Sequence, residues 1–156
     1  MLDLGVASRF DELIGRDDER QLLRDAWSDD STRVLSFVAA GGVGKSSLVA
    51  DWLADIAAAD WDGVGAFYDW SFYSQGTKDQ TAAHSGMFID SALRHFGEVE
   101  MADSPATADT KAERLAERIA ERRTLLILDG VEPLQHPQRP GLTEGRFKDG
   151  GVEQLR

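Results

Sequence analysis

An apolar, β-branched run, Val34-Leu35-Ser36-Phe37-Val38, leads into Ala39-Ala40-Gly41-Gly42-Val43-Gly44-Lys45-Ser46. Apolar residues at helical spacing follow at once: Leu48, Val49, Trp52, Leu53 and Ile56. A buried strand, a glycine turn and a helix in immediate succession form the context that a phosphate-binding loop requires. Glycines allow backbone N–H groups to turn inward and approach phosphate oxygens closely. The helix that follows aims its positive end at the same place. Lys45 is expected to reach the outer phosphates, and the Ser46 hydroxyl to ligate Mg²⁺. Gly41, Gly42, Val43, Gly44 and Ser47 complete the expected phosphate contacts. Ala39 stands where the common pattern opens with glycine, which alanine can serve if its φ is negative. The competing reading is a glycine-rich helix start without a ligand.

The remaining periodicity predicts strands alternating with helices. Helices are expected over about 18–28, 45–59, 82–96 and 111–122, the first with Asp17 as its N-cap. Two further strands are expected over 64–70 and 125–128. Residues 98–108 read as a loop around Pro105, and 133–151 as an exposed loop, with a last helix opening at 152–155. Alternating units of this kind imply a parallel α/β sheet. Phe67, Tyr68, Trp70, Phe72 and Tyr73 suit strand and core packing, although aromatic rings can also stack on a base. Arg114–Glu117 and Arg118–Glu121 are spaced for a solvated helix face, and Arg122 and Arg123 for a helix end.

The apolar strand Leu125-Leu126-Ile127-Leu128 ends in Asp129. Parallel strands bring their carboxyl ends to one sheet edge, where ligands bind. Asp129 is therefore expected beside the phosphate loop, holding Mg²⁺ directly or through water. Its other reading is a turn residue in Asp129-Gly130. Glu132 could orient or deprotonate an attacking water, or be a solvated loop acid.

Composition narrows the partners. The charge is −11, with 42% apolar and 29% charged residues, which suits a soluble domain and opposes broad adhesion to nucleic acid. There are no cysteines, so disulfides, thiolate nucleophiles and zinc–cysteine sites are excluded. His84, His95 and His136 lack metal-ligand spacing, leaving nucleotide-bound Mg²⁺ as the expected metal. No apolar run reaches the ~20 residues of a membrane helix, and the acidic start is not a targeting signal. A cytoplasmic location is the expectation.

Three segments, in order, carry a resemblance: Ile14-Gly15-Arg16-Asp17, Gly41-Gly42-Val43-Gly44-Lys45-Ser46 and Leu126-Ile127-Leu128-Asp129-Gly130-Val131-Glu132. The chain resembles the STAND class of signal-transduction ATPases, which includes NB-ARC and NACHT proteins. Trp70-Ser71-Phe72-Tyr73-Ser74-Gln75-Gly76-Thr77 and Glu132-Pro133-Leu134-Gln135-His136-Pro137 look like a bacterial branch of it. The resemblance spans about residues 10–156. It implies a P-loop NTPase fold, a three-layer parallel sheet with flanking helices. Residues 1–16 would be a lead-in carrying the Gly-Arg nucleotide element, and 17–156 part of the nucleotide-binding domain.

The implied function is a switch that holds ADP at rest, exchanges it for ATP and hydrolyses slowly with Mg²⁺. Ile14, Gly15 and Arg16 would lie against adenine and ribose, unless Arg16 is a surface residue facing Asp17 or Asp18. Two core strands of the class would follow residue 156, one on each side of the phosphate-loop strand. Without them that strand has no neighbour, and the chain alone is expected to be marginally stable. Protein partners or self-association would then act through the regions beyond residue 156. Two other readings stay open. One is a small phosphotransferase whose lid would use Arg139, Arg146 and Lys148; the other is a nucleotide-binding fragment without turnover.

Overall fold

The computed structural model describes residues 15–72 and 81–131. The expected features over 133–155, Glu132 and Tyr73 lie outside the described residues, as does Ile14. Among the described residues the fold is mixed α/β, with five helices and two parallel strands. It falls into two compact units, divided between Asp62 and Gly63.

The first unit contains α1 (Asp17–Ser28) and α2 (Lys45–Ala58). Their apolar positions recur at helical spacing and meet: Leu23, Leu48, Trp52 and Ile56 are buried. Trp27 and Trp52 touch edge to face with centroids 6.2 Å apart. Arg20 on α1 pairs with Asp51 and Asp55 on α2, each at 3.0 Å. Arg16, rather than Asp17, occupies the N-cap of α1; Asp17, Asp18 and Glu19 fill its first turn, where carboxylates favour the helix dipole.

The strand expected over 34–38 is not formed. Leu35 and Phe37 are half-buried, but Val34 is exposed and Val38 is 87% exposed. A strand is held by the ladder of a neighbour, and no described residue offers one here. An apolar, β-branched composition does not by itself supply that neighbour.

The second unit runs β1 (Ala66–Ser71), α3 (Thr81–His95), α4 (Val99–Asp103), α5 (Ala108–Ala120) and β2 (Thr124–Asp129). The strands pair in parallel, from Ala66 opposite Thr124 to Ser71 opposite Asp129. Parallel neighbours need a long crossover, and α3 to α5 provide it. The core gathers Tyr68 and Phe72 with Phe88, Ile89, Ala92, Leu93 and Phe96 of α3 and the turn after it, and Ala112 and Leu115 of α5. Tyr68, Trp70 and Phe72 all lie around Phe88, with centroids 5.7–6.3 Å from its ring. These aromatic residues therefore pack a core. Gly65 allows close approach before β1: its N–H donates to the Arg123 carbonyl at 2.8 Å, and a Cβ there would lie 3.2 Å from that oxygen.

Two boundaries differ from expectation. The presumed loop over 98–108 contains α4, whose Ala102 is buried while its carbonyl accepts from Lys111 Nζ at 2.7 Å. Tertiary packing here overrides the small, polar composition. Helix α5 starts at Ala108, because the Thr107 hydroxyl accepts from Thr110 N–H at 3.3 Å and caps it.

The charged face of α5 is more than a solvated stripe. Arg114–Glu117 and Arg118–Glu121 form at 2.9 and 2.6 Å, but both arginines also reach Glu98, at 2.6 and 3.2 Å. The Arg114 hydrogen bond holds the Glu98 carboxyl below its ordinary value, against the desolvation that would raise it. A lowered carboxyl pKa stabilises the fold above the unfolded value and loses that contribution as pH falls through the folded one. Glu98→Gln should therefore melt below wild type at pH 7, and the gap should close below about pH 4. Melts at several pH values check this.

Candidate functional site

The glycine loop lies in the first unit. It turns through Gly42 at φ 78° and Gly44 at φ 86°, a region that disfavours residues with a Cβ. Ala39 is not among the positive-φ residues, so its backbone meets the condition set for alanine at that position. Gly44 is the N-cap of α2, and no side-chain hydrogen bond caps the start of that helix. Lys45, Ser46 and Ser47 form the first turn, which has no acidic residue. A helix start left this way is electropositive and suited to an anion.

Lys45 Nζ donates to the carbonyls of Ala39 at 2.9 Å and Ala40 at 3.1 Å. An ammonium has three donors, so two hold it over the loop and one is left for a ligand. Arg16 reaches the same loop from α1. One guanidinium nitrogen donates to the Val43 carbonyl and another to Glu19 Oε1 at 2.9 Å. The structure thus gathers Arg16 with the loop 39–46, although they are far apart in sequence. Arg16 pairs with Glu19 rather than with Asp17 or Asp18. Spacing of i,i+3 on a helix signals that pair, and it was available in the sequence. No periodicity or motif pointed to the Val43 contact.

Asp129 belongs to the second unit, where it ends β2 opposite Ser71 and precedes Gly130 at φ 71°. It therefore stands at the carboxyl end of a parallel pair, as expected. Ser46 belongs to the first unit. Among the described residues, no group of three or more His, Asp or Glu is gathered to hold a metal ion. An open cleft borders the amino end of the same sheet, between Ala66, His95, Gly97 and Arg122. No helix among the described residues is long and apolar enough to cross a membrane.

No family model matches the chain, and comparison with curated proteins and with solved structures gives no match.

Proposed function

We propose that the chain binds ATP and ADP with Mg²⁺ at the loop 39–46, as the nucleotide-binding part of a STAND-like signalling switch with slow hydrolysis. The observation that carries this reading is the loop itself. Two left-handed glycines lead to an uncapped helix start, and Lys45 is folded back over the turn. That arrangement suits a chain of phosphates, whose oxygens require N–H donors and a cation rather than carboxylates. A Cβ built at Gly41, Gly42 or Gly44 meets no atom within 4 Å, so the space beside the turn is open to a ligand. The parallel pairing of the Asp129 strand with 66–71 supports an α/β nucleotide fold. Bound Mg²⁺ would supply neutralisation of the phosphate charge. Ser46 would hold it at the loop and Lys45 would bind the outer phosphates; for Asp129 and Glu132 the resemblance implies the roles of metal ligand and water-orienting acid.

The full chain with saturating Mg-ATP or Mg-ADP tests the reading. Ligand at a hundred times its Kd adds about 2.7 kcal/mol of stability. The melting midpoint should rise by roughly 5–10 °C for a chain of this size. Lys45→Ala should remove most of that rise, while Glu132→Gln should keep it and lose turnover. A wild-type midpoint indifferent to both nucleotides would overturn the proposal.

A further inference from the structure

We infer that Arg16 is a positioning residue for the phosphate loop, fixing the direction of the Gly44 N–H rather than contacting the base. This rests on the nucleotide reading above. The Arg16 fork is held at two points, by Glu19 on its own helix and by the Val43 carbonyl in the loop. Its guanidinium is planar, so two fixed nitrogens set the orientation of the whole group. The Val43 carbonyl and the Gly44 N–H belong to one planar trans peptide and point in opposite directions. A guanidinium that pins the carbonyl therefore aims the N–H.

Gly44 is the N-cap of α2, so its N–H has no place in the helix ladder and is available to a phosphate oxygen. The peptide on the other side of Gly44 is already fixed, because its carbonyl accepts from Leu48 N–H at 3.0 Å. Arg16 completes the restraint from the side that the helix does not reach. Arg16 is itself anchored: its carbonyl accepts from Arg20 N–H at 2.9 Å, and Arg20 binds Asp51 and Asp55 of α2. The frame thus runs from α2 through α1 and back to the loop.

The test compares Arg16→Ala and Arg16→Lys with wild type in the full chain. Calorimetry measures Mg-ATP and Mg-tripolyphosphate, which carries the phosphates without base or ribose. Amide NMR follows Gly44 in the ligand-free protein. A charge-assisted hydrogen bond is worth enough that Arg16→Ala should weaken both ligands by roughly tenfold and by the same factor. The Gly44 amide should shift before any ligand is added. Arg16→Lys should recover only part of the affinity, since one ammonium cannot reproduce the planar fork.

A loss confined to Mg-ATP would assign Arg16 to the base or ribose and overturn the inference. Equal losses with an unmoved Gly44 amide would make Arg16 a direct phosphate ligand, which also overturns it. Unchanged affinity for both ligands would do the same. Failure of wild type to bind either ligand would instead remove the nucleotide reading itself, and the inference with it. Unaltered amide signals from Leu23 and Trp52 establish that the α1–α2 core survives the substitution.

Discussion

Phe88→Ala is expected to lower the unfolding free energy by about 3–5 kcal/mol. Phe88 is 0% exposed and sits where β1 meets α3. Its ring faces Tyr68, Trp70 and Phe72, so truncation removes the shared partner of three aromatic side chains as well as its own buried surface. The cavity closes poorly because its walls come from separate elements, a strand and a helix. Native stability is on the order of 5–15 kcal/mol, so this one change removes a large fraction of it. Urea unfolding followed by circular dichroism measures the loss. Phe88→Leu keeps most of the apolar volume and should cost less than half as much. Equal losses from the two variants would show that volume at this site matters little, contrary to the packing described.

Leu48→Ala should cost about 3–5 kcal/mol by the same cavity argument, but its consequences reach further. Leu48 is 1% exposed, and its N–H is the donor that fixes the Gly44 carbonyl. It lies one turn beyond the glycine loop, on the helix that presents Lys45 and Ser46. Loosening this residue should fray the first turn of α2, so protection of its amides against exchange should fall more than protection in α5. Leu48→Met, which keeps the volume, should retain most of the stability and the protection. Hydrogen exchange on both variants separates this local effect from global unfolding.

The elements most legible in the sequence were those whose stabilisation is local and periodic. Helix α2 was readable from Leu48, Trp52 and Ile56, and the structure buries those residues. The strands at 66–71 and 124–129 were readable as apolar runs, and they pair. The run 34–38 has the same character, yet forms no ladder among the described residues. What distinguishes it is a partner, and a partner is not a property of the run. Helix α4 was invisible for the opposite reason. Nothing in Val99–Asp103 demands a helix; Lys111 holds it from outside, through the carbonyl of its buried Ala102.

The loop 39–46 was legible because its chemistry depends on glycine, lysine and serine at fixed spacing. The role of Arg16 was not, because its contact is with a backbone carbonyl. Any residue at position 43 would have offered the same backbone carbonyl, so no side-chain pattern records it.

The parallel pairing of β1 with β2 also has a consequence in time. During synthesis Ala66 leaves the ribosome long before Thr124, at ~5–20 residues per second, so β1 is without its partner for several seconds. In that interval Tyr68, Trp70 and Phe72 have the emerging α3 as the first described helix of their core, ahead of α4 and α5. Among the described residues, Phe88 is then the first aromatic partner from α3 that these three rings can meet. The order of appearance along the nascent chain makes α3 the guardian of β1 until the second strand arrives.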